Sequence, residues 1–157
     1  MLIRILTAVA LVAVPWPAAR AQGLVARFIN PPGLVRPNGY THVVVSADGR
    51  TAYIAGQVAF DSAGTLVGPG DFEAQAERVF GNLRIALASV GASLGDVLKT
   101  TTYITDLKNL AALREIRGRH FGAAHPPANT LVQVASLARP ELLLEIEAVA
   151  ELRPARQ

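Results

Sequence analysis

The 157-residue chain contains no cysteine. That excludes disulfides, thiolate nucleophiles and cysteine-based metal sites, and it removes the residue a bacterial lipoprotein anchor needs. A run long enough to cross a bilayer, about 20 apolar residues, is not present in the apolar stretch over residues 5–14. A strong excess of basic charge is missing too. The formal net charge is +3, and Arg4 and Arg20 contribute two of those charges, so residues 22–157 carry thirteen basic against twelve acidic side chains, a net of +1. With no basic stripe, nothing in the composition points to nucleic acid. Internal repeats are absent. The three histidines, His42, His120 and His125, have no metal-ligand spacing, so a metal site is not expected.

What is present begins with a leader. Arg4 supplies an early positive charge, residues 5–14 a short apolar run, and Ala19-Arg20-Ala21 a small-residue cleavage pattern. These read as a secretory signal peptide over residues 1–21, cut before Gln22; an uncleaved anchor or a misassigned start is the alternative reading. The expected location is periplasmic or secreted, with no membrane contact after cleavage. The remaining 136 residues suffice for one domain with a real core. An exported chain without disulfides must then be held by core packing or by oligomerisation.

Residues 22–39 are rich in Pro and Gly and read as an extended lead-in. Residues 41–46 and 51–58 read as strands around an Asp48-Gly49 turn, a hairpin signal. From Asp71 the period changes: Phe72, Ala76, Val79, Phe80, Leu83, Leu87 and Val90 recur at helical spacing, with Asp71 as N-cap and Gly91 as stop. Residues 97–105 form a third strand. Leu110, Leu113, Ile116, His120 and Phe121 lie on one side of a second helix, and residues 130–135 and 142–150 are two further strands. The order β-β-α-β-α-β-β implies an α+β fold, one mixed sheet with two helices on one face.

The other face of that sheet raises a question. Leu144, Ile146, Ala148 and Ala150 share one side of the last strand, and Leu143, Glu145, Glu147 and Val149 the other. Two helices cover one face only, and a large exposed apolar face is a liability. Subunits are therefore expected to pack sheet to sheet, with Glu145 and Glu147 in or beside an interface.

Several side chains are candidates for chemistry. Gly91-Ala92-Ser93-Leu94-Gly95 matches the nucleophile-elbow pattern, but a helix precedes it and a strand follows, the reverse of what that motif requires. Glu145 is a carboxylate among Leu and Ile, costly unless paired or hydrogen-bonded. It is either a structural ion-pair partner or a base held in a cleft to position water, and spacing does not separate it from Glu147. Gly56 inside a strand marks a bulge or a close approach to the backbone. Tyr40 is a pocket wall or a packing residue.

Taken together, GYTHVVV, YIAGQVAFDSAG, DFEAQAERVFGNLRIALASVGASLGDVLKTTTYITDL, HFGAAHPPANT and LEIEAVA resemble, in order, the RidA (YjgF-type) family; the likeness runs from about Tyr40 to Ala150, and a domain of that type is expected over residues 40–152. The resemblance implies a chorismate-mutase-like fold, a homotrimer packed through its sheets, and small-molecule clefts between subunits. It implies hydrolysis of reactive enamines and imines to keto acids and ammonia without metal or cofactor. Tyr40, Gly56 and Gln57 would line the cleft, and Glu145 would position the attacking water.

The chain departs from that pattern at four places. Asn129 stands where the family's strand-entry motif has an arginine that grips a substrate carboxylate. A guanidinium binds a carboxylate bidentately, whereas an amide offers only neutral hydrogen bonds. Ala55 replaces the serine often found before Gly-Gln, and Leu131 a small or polar residue, so the cleft is expected to be more apolar. Arg114, on the second helix, either supplies a cation by another route or is a solvated helix residue. Export is the fourth departure. Three functional readings follow: a divergent imine or enamine hydrolase, a non-catalytic metabolite-binding trimer, and an endoribonuclease, which near-neutral charge and export oppose.

Overall fold

The computed structural model describes residues 25–153; the leader expected over residues 1–21 lies outside them. In chain order the elements are β1 (Arg27–Ile29), β2 (Val43–Val45), β3 (Thr51–Gln57), α1 (Phe72–Ala88), β4 (Val97–Ile104), α2 (Leu110–Phe121), β5 (Ala128–Gln133) and β6 (Leu144–Glu151). The strands form one mixed sheet in the order β1-β2-β3-β6-β4-β5. Only β4 and β5 run parallel, and α2 supplies the crossover such a pair requires. The expected α+β architecture is present, with one strand added. Part of the lead-in is β1, which pairs Phe28 with Val44. It is secured where Asn30 Oδ1 accepts the His42 N–H at 2.9 Å.

Helix α1 forms where the periodicity placed it. Asp71 Oδ1 accepts the Ala74 N–H at 3.1 Å, satisfying an orphan donor of the first turn. The helix ends before Gly91, whose φ of 74° few other residues adopt at low cost. Ala76, Val79, Phe80, Leu83 and Leu87 are fully buried, as are Leu144, Ile146 and Ala150 of β6 and Val43 and Val45 of β2. At about 1.5–3 kcal/mol for each large side chain, this layer between α1 and the sheet holds the domain together. Leu113 and Ile116 add the inner side of α2.

The opposite face of the sheet carries no helix. Alternation places Tyr53, Lys99, Thr101, Tyr103, Glu145, Glu147 and Val149 there in register, and Tyr53 is 53% exposed. Among the described residues no helix is long and apolar enough to cross a membrane. The Gly91–Gly95 segment is a loop and a 3-10 turn leading into β4, and the Ser93 hydroxyl donates to Asp96 at 2.8 Å.

Candidate functional site

Glu145 lies on the helix-free side of β6, half-buried, with no hydrogen bond or ion pair to any described residue. Burial raises its pKa above the ordinary glutamate value, and the charge of Glu147 raises it further. Its carboxylate lines a cavity of about 430 Å³ with Tyr40, Gly56, Arg36, Arg139 and Phe60. Gly56 explains how the carboxylate fits. Between Ile54 and Gln57 the β3–β6 register shifts, so Ala55 and Gly56 form a bulge. A Cβ on Gly56 would overlap Glu145 Oε1. The bulge and the close approach, read from the sequence as alternatives, are both present, and the group that approaches is the glutamate.

Tyr40 stands at the rim, 46% exposed, edge-on to the His42 ring at 5.1 Å. Burial, then the charge of Glu145, raises its pKa above the usual phenol value, so at neutral pH it is a protonated donor. His42 is buried behind it. Its Nε2–H donates to Val35 O at 2.8 Å, so its Nδ1 faces Gln57 Nε2 at 3.3 Å as the acceptor. Gln57 also donates to Ala55 O at 2.8 Å. Gln57 is thus not a lining residue; its amide and His42 brace the walls that Val35, Tyr40 and Ala55 present.

Two polar residues of α1 that sequence reasoning passed over hold the remaining walls. Gln75, fully buried, donates to Gly68 O and Glu141 O and accepts the Leu143 N–H at 2.9 Å. Asn82 donates to Val58 O and Phe60 O, both at 2.9 Å. One helix face therefore fixes the entry to β6, two residues before Glu145, and the segment after Gly56. The only available signal was the seven-residue spacing of two amides on an apolar helix face.

Asn129 and Arg114 lie elsewhere. β5 begins at Ala128, two residues earlier than the sequence suggested, so Asn129 is inside the strand and opposite Thr100. It faces the helix side, whereas Glu145 faces the open side. Its Oδ1 accepts from Thr100 and Thr102 hydroxyls at 2.8 and 3.0 Å. Thr100 Oγ1 in turn accepts from Arg117 Nη1 at 3.0 Å, so its single proton goes to Asn129, and the amide nitrogen is left as an open donor. Asn129, Arg114, Arg117, Thr102 and three leucines line a cavity of about 280 Å³. Within one chain the candidate residues thus divide into two half-sites on opposite sides of the sheet.

The histidines do not form a further centre. His120 stacks on Phe80 at 4.3 Å and bridges Glu77 and Arg84. Among the described residues no group of three or more His, Asp or Glu side chains is placed to hold a metal ion.

A cleft glutamate unobstructed by a bulged glycine, on a mixed sheet backed by two helices, defines a class of small α+β proteins, and comparison places the chain within it. Residues 34–152 match the family described as Endoribonuclease L-PSP, and the chain belongs to that family, the RidA/YjgF group. It is 39% identical to protein DfrA of Myxococcus xanthus over 71% of this chain and 83% of that protein. It is 37% identical to a RutC family protein of Synechocystis, over 74% and 88%. The crystal structure of RidA from an Antarctic Psychrobacter superposes with a TM-score of 0.71 at 32% identity, covering 80% of this chain and 98% of that one.

Proposed function

We propose that this protein is an exported hydrolase of small imines or enamines, acting in clefts between the subunits of a homotrimer. The observation that carries this reading is the Glu145 carboxylate, half-buried and unpaired, in a cavity that the missing Gly56 side chain leaves open. A carboxylate with a raised pKa is a better base at neutral pH than an ordinary one. It takes a proton from water as the oxygen adds to the C=N carbon of an iminium ion, giving a carbinolamine. It returns that proton to nitrogen, and ammonia leaves as the hydroxyl proton passes back to the carboxylate. Tyr40 donates a hydrogen bond to the oxygen or nitrogen in flight. The second half-site, on the opposite sheet face, reaches such a ligand only from a neighbouring copy, which is why the reading includes an oligomer.

Ammonia release from a panel of freshly generated imines tests the reaction. Glu145→Gln is expected to reduce turnover at least a hundredfold while the protein stays folded and assembled. Turnover that survives the substitution would transfer the role to Glu147, and no turnover in the wild type would favour a metabolite-binding trimer. Sequencing the isolated protein's N-terminus tests export: it should begin at Gln22.

A further inference from the structure

Of the asparagines in the chain, Asn38 alone is followed by glycine. An Asn-Gly pair often closes a two-residue hairpin loop. This one does not: it lies within the longer connection between β1, which ends at Ile29, and β2, which begins at Val43, and Asn38, Gly39 and Tyr40 form an open bend. The pair has a chemistry of its own. The main-chain nitrogen of the next residue can attack an asparagine Cγ, and a Cβ on that residue hinders the attack; glycine has none. Asparagine is accordingly one of the thermolabile residues.

The fold leaves both reacting groups free. Asn38 is exposed, and neither its amide nor the Gly39 N–H has a hydrogen-bond partner among the described residues. A Cβ placed on Gly39 would meet nothing within 4 Å, so a ring has room to close. The other asparagines are protected, each differently. Asn30 precedes Pro31, whose nitrogen carries no proton, and its Oδ1 accepts the His42 N–H. Asn82 is buried in α1 with its amide donating to Val58 O and Phe60 O. Asn109 is followed by Leu110, whose N–H already donates to Leu107 O. Asn129 is held within β5 by the Thr100 and Thr102 hydroxyls. The one unprotected asparagine lines the same cavity as Tyr40 and Glu145.

We propose that Asn38-Gly39 is a self-modification site, at which loss of ammonia and uptake of water replace a neutral amide on the wall of the Glu145 cavity by a carboxylate. The Gly39 nitrogen gives its proton to hydroxide and bonds to Asn38 Cγ. The Cγ–Nδ2 bond breaks, and Nδ2 takes a proton from water and leaves as ammonia, which regenerates the hydroxide. Water then opens the succinimide. Cleavage between Gly39 N and Cγ gives aspartate; cleavage between Gly39 N and the main-chain carbon gives isoaspartate, in which the chain runs through Cγ and is one carbon longer. Either product adds a negative charge to a wall shared by Arg36, Tyr40, Arg139 and Glu145. Isoaspartate also lengthens the chain two residues before Tyr40, and a reacting group misplaced by about 1 Å loses about a hundredfold in rate. The effect on turnover rests on the hydrolase reading; the modification does not.

Incubation of the folded protein at physiological temperature, in mildly alkaline water enriched in heavy oxygen, tests the site. Peptide mass mapping should find a labelled acid at position 38 within days, formed faster than in mildly acidic buffer, with Asn109 and Asn129 unchanged. An isoaspartyl-specific methyltransferase should accept part of the product. Asn38→Gln, whose longer side chain closes a ring far more slowly, should stay unlabelled. A position 38 that is labelled only in the denatured chain would show that the bend holds Cγ away from Gly39 N, and overturns the site; equal labelling of Asn109 does so too. If fresh protein hydrolyses imines, aged protein should lose that turnover in step with its isoaspartate content, and Asn38→Gln should keep its own initial rate over the same period. Equal decay of the two proteins would overturn the effect on the cavity. Fresh protein without turnover removes the hydrolase and leaves the labelling to decide the site.

Discussion

At Glu145, function and stability oppose each other. Its pKa is raised in the folded protein, first by burial and then by Glu147. The native state therefore binds this proton more tightly than the unfolded chain does. Stability must fall as pH rises from the unfolded value, about 4.3, through the folded one, and stay lower above it. Glu145→Gln, which cannot ionise, should raise the melting temperature at pH 7, and the gain should vanish near pH 4. The same shift predicts that the acid limb of the pH–rate profile lies above the ordinary glutamate value, and that Glu147→Gln moves it down. A limb that ignores Glu147 would contradict the assigned cause. Gly56 gives a second residue-scale prediction. Its φ is not positive, so Gly56→Ala does not strain the backbone, but the new methyl occupies the position of Glu145 Oε1. Turnover should drop about a hundredfold, the effect of a misplaced catalytic group, with at most about 1–3 kcal/mol of overpacking cost in denaturant unfolding.

Among the elements, α1 was the most legible. Asp71, Gly91 and the apolar spacing between them lie in one stretch of chain, and each acts on its near neighbours. The partners of Gln75 and Asn82 do not. Gln75 bonds to Glu141, 66 residues away, and no local pattern reveals that two helix amides grip the backbone around a cleft. β1 escaped notice because three residues at a sheet edge show no alternation, and Arg27, Phe28 and Ile29 are all wholly or partly exposed. The start of β5 was placed two residues late, which hid that Asn129 and Thr100 are register partners and that the cation beside them is Arg117. The sequence resemblance led to Glu145 and Gly56, which share a cavity, and to Gln57, which braces it from within. If Gln75 positions β6, then Gln75→Leu, which leaves the Gly68 and Glu141 carbonyls and the Leu143 N–H unpaired, should cost about 2–3 kcal/mol in denaturant unfolding. It should also lower kcat in protein that is still folded. An unchanged kcat would show that Gln75 supports the fold without positioning the glutamate.

For the whole molecule the decisive fact is that the candidate residues of a single chain line two separate cavities on opposite sides of the sheet. Glu145 with Gly56 opens on one side of the sheet, and Arg117 with Asn129 on the other. The helix-free face, on which Glu145 lies, also presents Tyr53, Lys99, Thr101, Glu147 and Val149. If copies of the chain meet through that face, light scattering should give three times the monomer mass, and Val149→Arg should reverse this. Val149 is in register with both Tyr53 and Lys99, so the new guanidinium would be desolvated beside an existing cation. That costs several kcal/mol in an interface, whereas on a solvent-facing sheet the change would be worth no more than about 0.5 kcal/mol. The expected product is a folded monomer that has lost imine turnover although Glu145, Gly56 and Tyr40 are intact. A monomeric Val149→Arg protein with full turnover would show that one chain completes the site by itself. A Val149→Arg protein that is still trimeric would move the interface off this face.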